Sequence, residues 1–89
     1  MTDFPASRVL STVVGDEAVL MDSASGRYFS LNEVGARIWQ LVGQGKTSSE
    51  IAAALAVEYE IDQAPAERDV LQLCEALRAN GLLTRADAT

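Results

Sequence analysis

Histidine is absent from this 89-residue chain, cysteine occurs once, proline twice, and aromatic residues make up only 6 %. Without histidine there is no Ser-His-Asp or Cys-His arrangement, because the base that activates the nucleophile is missing. The lone Cys74 has no partner for an internal disulfide, and one cysteine without histidine cannot assemble a zinc site. Aspartate and glutamate alone can hold a hard cation, but no run has the spaced acidic pattern of a calcium loop. No apolar stretch approaches the roughly 18 residues of a membrane span. The start, Met1-Thr2-Asp3-Phe4-Pro5, has neither the basic nor the apolar region of a signal peptide, and with the scarcity of cysteine it points to the cytoplasm. Basic charge is scarce as well. Seven Lys and Arg against 13 Asp and Glu leave a net charge of −6, which repels polyanions and counts against nucleic acid. Together these absences predict a non-catalytic protein that uses no metal or cofactor and binds neither membrane nor nucleic acid.

What is present is an ordinary globular composition, 48 % apolar, at a length that suits one domain over residues 1–89. Residues 1–7 read as a frayed leader. The β-branched run RVLSTVV (8–14) reads as a strand, and Gly15-Asp16 as a turn. EAVLMD (17–22) follows as a second strand, with Ala18, Leu20 and Asp22 on one face and Val19 and Met21 on the other. The cluster Ser23–Gly26 is a turn, and RYFSL (27–31) is a third short strand. Such short links join antiparallel neighbours, so the first third predicts a three-stranded meander.

After Leu31 the period becomes helical. Asn32 is a good N-cap with Glu33 in the first turn, although Ser30 and Glu33 form a rival capping box. Val34, Ile38, Leu41 and Val42 then recur at helical spacing, with Trp39 and Ala36 beside them, until Gly43 and Gly45. Thr47-Ser48-Ser49-Glu50 is a capping box without a rival, and the helix after it carries Ile51, Ala52, Leu55, Ala56 and Tyr59. Asp62 suits the N-cap of a third helix, Pro65 fits its first turn, and Val70, Leu73, Cys74 and Leu77 form its stripe. Asn80-Gly81-Leu82 suits a Schellman stop, and residues 84–89 read as frayed. The fold class is therefore α+β, a three-stranded antiparallel sheet followed by three helices in a winged helix-turn-helix-like order.

Several residues could carry chemistry, and each has a plainer role. Cys74 lies on an apolar stripe with no basic neighbour to lower its pKa, which suits core packing. Trp39, at helical spacing beside Ile38 and Val42, suits the core better than ligand stacking. Asp62, Glu67 and Asp69 are explained by first-turn helix electrostatics. The topology also suggests a DNA reader. However, SSEIAAALAVEYE (48–60) holds three glutamates and no basic residue, which opposes phosphate contact. The third strand is more informative. It forms a sheet edge, and RYFSL has one arginine and none of the usual guards against pairing. An open edge with apolar flanks can bind an extended peptide by strand addition. The alternative is that a helix covers the edge, or that Tyr28 and Phe29 fill the core.

Gly26-Arg27-Tyr28-Phe29 before Leu31-Asn32, then Ile38-Trp39 and Leu41, carry a resemblance. So do Glu50-Ile51, Ala53 with Leu55, Asp69-Val70 and Gly81-Leu82-Leu83. From Glu17 to Leu83 the chain resembles the PqqD family of RiPP recognition elements. These are small domains that bind the leaders of ribosomally made, post-translationally modified peptides. The resemblance implies the same α+β fold and a leader added as an antiparallel strand on the third strand, in a groove closed by the third helix. It implies Arg27, Tyr28, Phe29 and Ser30 on the strand side and Val70, Leu73, Cys74 and Leu77 across from them. Arg68, Asp69 and Arg78 would be polar rims. Which helix residues face the groove rather than the core stays open. LNEVGARIWQLV is most similar to the free-standing recognition proteins of lasso-peptide pathways. Their partner is a leader-cleaving cysteine peptidase of transglutaminase-like fold, followed by a macrolactam-forming cyclase. The alternative branch serves pyrroloquinoline quinone biosynthesis, with a radical SAM enzyme as partner.

Overall fold

The structure is a computed structural model that describes residues 2–86. Strands β1 (Thr2–Pro5), β2 (Val9–Val14), β3 (Glu17–Asp22) and β4 (Arg27–Leu31) come first. Helices α1 (Glu33–Gly43), α2 (Ser48–Glu58) and α3 (Gln63–Ala79) follow, and β5 (Leu83–Ala86) closes the order. β2, β3 and β4 form the expected antiparallel meander in the order β2-β3-β4, so β4 is an edge. The alternation in β3 decides which face is covered. Ala18 and Leu20 are buried to 1 % and 0 % exposure beneath the helices, while Val19 and Met21 on the opposite face are only half-buried.

Capping chemistry sets the helix boundaries. Asn32 Oδ1 accepts the Gly35 N–H at 2.9 Å, so Asn32 rather than Ser30 starts α1. Thr47 and Glu50 exchange both bonds of a capping box, and these bonds also hold the Glu50 carboxyl below its ordinary pKa. Asp62 occupies the N-cap position of α3, but its side chain makes no capping bond. α3 ends as a Schellman motif. Gly81 N–H donates to Arg78 O and Leu82 N–H to Leu77 O, at 3.0 and 2.8 Å, with Gly81 at φ 75°. Leu82 is thereby turned into the core with no exposure.

The frayed ends expected from the sequence require correction. Residues 2–5 pair antiparallel with residues 83–86, giving a second sheet of two strands. Burial of Ala6 and Leu83 and the bond from Ala6 N–H to Leu82 O (2.9 Å) anchor the pair. Arg78 reaches across to Asp3 at 2.7 Å. Residues 87–89 of the expected frayed tail lie outside the described residues. Arg8 ties the meander to the end of α3. Its guanidinium donates to Asp22 Oδ1 at 3.1 Å and to Gly81 O at 2.6 Å. Burial disfavours the Asp22 carboxylate, but the Ala24 N–H and Arg8 outweigh it and hold its pKa below the ordinary value.

Candidate functional site

Pairing in the meander fixes which backbone groups β4 leaves free. Ser23 N–H donates to Arg8 O, so Arg8 and Ser23 form a hydrogen-bonded pair. Such pairs recur at every second residue, which turns Glu17, Val19 and Met21 toward β2. Ala18, Leu20 and Asp22 therefore direct their N–H and C=O toward β4, onto Leu31, Phe29 and Arg27 respectively. Among the described residues, Tyr28 and Ser30 have no partner strand on their side. Their N–H and C=O groups point outward from the sheet edge, one donor and one acceptor each.

α3 packs chiefly on α2 and β5 rather than on β4. The gap between them holds an open cavity of about 560 Å³. Ser30 and Leu31 of β4 form one wall, and Asp69, Gln72 and Leu73 of α3 form the other. Its floor comes from the start of α1, including Val34 and Ile38. A close approach builds that floor: a Cβ on Gly35 would lie 3.3 Å from both Leu31 Cβ and Asn32 Oδ1. An added strand lies about 4.8 Å from its neighbour, and it would send alternate side chains down into this cavity.

The structure brings together only some of the residues expected at the groove. Tyr28 (69 % exposed) and Ser30 lie open on the edge, and Asp69 and Leu73 line the cavity. Arg27 and Phe29 engage each other, with the guanidinium carbon 5.0 Å from the ring centroid. Val70, Cys74 and Leu77 were expected to face the peptide, but they are 0 %, 3 % and 4 % exposed. Their stripe is the core stripe of α3, so they support the wall from behind. Burial also pushes the Cys74 thiol upward in pKa, which makes it a poor nucleophile. Arg68 is exposed but does not line the cavity, and Arg78 is engaged with Asp3. Sequence reasoning missed Gln72, Val34 and Ile38 as lining residues. Gln72 stands three residues after Asp69, so helical spacing already put both on one face.

No helix among the described residues is long and apolar enough to cross a membrane. A family model described as coenzyme PQQ synthesis protein D (PqqD) matches residues 17–83. No curated protein matches the chain. Two solved structures are similar. One, described as TbiB1 in complex with the TbiA(beta) leader peptide, is 39 % identical with a TM-score of 0.87, covering 94 % of this chain and 99 % of that one. The other, lasso peptide synthetase B1 complexed with the leader peptide, is 29 % identical with a TM-score of 0.88. That match covers 96 % of this chain and all of the other (100 %).

Proposed function

The chain belongs to the PqqD family as a RiPP recognition element, and on that footing we propose that it binds the leader of a ribosomal precursor peptide by strand addition to β4. The observation that carries this reading is the edge itself. Tyr28 and Ser30 turn their backbone groups outward beside a 560 Å³ cavity. The similarity to two recognition proteins solved with leader peptides supports it.

The energetics define what each part contributes. Tyr28 and Ser30 offer at most four backbone hydrogen bonds, each worth ~0.5–1.5 kcal/mol net. Ordering a flexible leader costs several kcal/mol, so these bonds alone leave binding weak. One or two apolar leader side chains seated against Val34, Ile38 and Leu73 add ~1.5–3 kcal/mol each. At the upper end of these ranges the contacts give about 12 kcal/mol, and once the ordering cost is subtracted about 8 kcal/mol remains, a dissociation constant of about 1 μM. Backbone pairing sets direction and register, and the anchors set which leader binds.

The chain has no chemistry of its own in this reading. It holds the leader so that an enzyme acts on the rest of the precursor, and the tether raises the effective concentration of the reacting segment. The partner enzyme is a leader-cleaving cysteine peptidase of transglutaminase-like fold, in the cytoplasm, as in lasso-peptide pathways. Calorimetric titration with the leader encoded beside this gene tests the binding step. The expected result is 1:1 binding at about micromolar affinity, abolished by scrambling the leader. Equal binding of the scrambled peptide contradicts it.

A further inference from the structure

Strand addition uses one edge of the meander, while the sheet face turned away from the helices is left bare. Register places Leu10, Met21 and Tyr28 in one cross-strand row on that face, and Thr12, Val19 and Ser30 in the next. Leu10, Val14 and Tyr28 are 56 %, 60 % and 69 % exposed. Val19 and Met21 are half-buried by the flanking strands and do not belong to the core cluster. Among the described residues no element covers this face. Among the described residues, Glu17, opposite Val14, is the one charged side chain in the strand rows of this face, in a chain whose net charge is −6. Leu10, Val14, Val19, Met21 and Tyr28 make this face largely apolar, with Thr12, Ser30 and Glu17 among them, and an exposed apolar patch is a surface on which a protein partner docks.

The bare face is continuous with the leader edge through Tyr28 and Ser30, whose side chains lie on it while their backbone groups point to the added strand. A leader paired with β4 would widen the sheet by one strand and place its own alternate side chains beside Tyr28. Loaded and empty protein would then differ on this surface. We propose that the outer face of the meander, centred on Leu10, Met21 and Val14, docks the enzyme that acts on the bound precursor, through an uncharged apolar patch on that enzyme. This rests on the leader-binding reading above and adds the surface that reads the loaded state. A second copy of the chain fits less well, because it would bring its own net charge of −6 onto a face that has no cation to meet it. Because one surface contacts both ligands, leader and enzyme should raise each other's affinity by the same factor.

The test uses the full chain, its leader and the leader-removing peptidase of the same pathway. Leu10→Lys and Val14→Lys sit on an exposed edge strand, and Leu10→Thr, a good strand former, stands in should a lysine variant fail to fold. Leader affinity measured without enzyme should be unchanged. Leader removal at limiting enzyme should fall by roughly tenfold or more, Leu10→Ile should restore it, and the wild-type chain should bind leader more tightly when enzyme is present. Full leader removal by a folded Leu10→Lys variant overturns the proposal. So does a fall in leader affinity equal to the fall in rate, or a wild-type dimer that the same substitutions dissociate. A wild-type chain that fails to bind its leader in the enzyme-free titration overturns the leader-binding reading itself, and this proposal with it.

Discussion

Tyr28→Pro and Ser30→Pro are expected to fold and to lose leader binding, while Phe29→Pro is expected to destabilise the domain. The difference follows from backbone parity alone. Tyr28 and Ser30 point their N–H groups out of the sheet, so proline there removes a donor that only an added strand would use. Phe29 directs its N–H toward Leu20 in the central strand, and Leu20 is fully buried. Proline at Phe29 would leave the Leu20 carbonyl unpaired in the interior, at about 1–3 kcal/mol, and would also disturb a packed ring. A chain of this length has a total stability of roughly 4–13 kcal/mol, so that loss is a large fraction of it. In the outward variants the lost donor and the proline ring together should weaken leader binding by about tenfold or more. Tyr28→Ala and Ser30→Ala control for the side chains. Calorimetry on variants whose circular dichroism matches wild type gives the answer. Wild-type affinity in both folded proline variants would exclude pairing at β4.

Leu77→Asp and Leu73→Asp should fail in different ways, although both residues lie on the same predicted stripe of α3. Leu77 is 4 % exposed and packs in the core. A carboxylate there is desolvated without a partner, which costs several kcal/mol and should unfold the domain. Leu73 is half-buried and forms a wall of the cavity, where an aspartate keeps access to water. It would stand one turn from Asp69, a like-charge pair that costs only a few tenths of a kcal/mol. The folded variant should instead lose an apolar contact with the leader worth ~1.5–3 kcal/mol, a tenfold to hundredfold fall in affinity. Thermal melts and leader titrations run in parallel separate the two outcomes. Leader binding by a folded Leu73→Asp variant at wild-type strength would move the anchor site elsewhere.

Where local chemistry determines structure, the sequence was readable. The alternation in EAVLMD gives β3 its bounds and its buried face, and Thr47 with Glu50 gives α2 its start. Gly81-Leu82 likewise marks the end of α3, because that turn needs a residue at positive φ and an apolar one after it. The β1–β5 sheet was not readable. Its strands have four residues each and lie at opposite ends of the chain, and no local pattern announces such a pairing. The candidate site was half readable. RYFSL showed itself as an unguarded edge, but its outward parity depends on a bond between Ser23 and Arg8 that no turn pattern specifies. The stripe of Val70, Cys74 and Leu77 was apolar enough to suggest a peptide-facing wall. Periodicity identifies an apolar face without saying what covers it, and here α2 and β5 pack against α3.

Amide hydrogen exchange of the 15N-labelled chain, with and without its leader, tests strand addition most directly. The account predicts that the Tyr28 and Ser30 amides, open in the free protein, become protected when the leader binds. Phe29 and Leu31, already directed toward β3, should change little, and so should Ser11 and Val13 on the opposite edge, β2. Leader binding that leaves Tyr28 and Ser30 exchanging as in the free protein, or that protects the β2 edge instead, would contradict it.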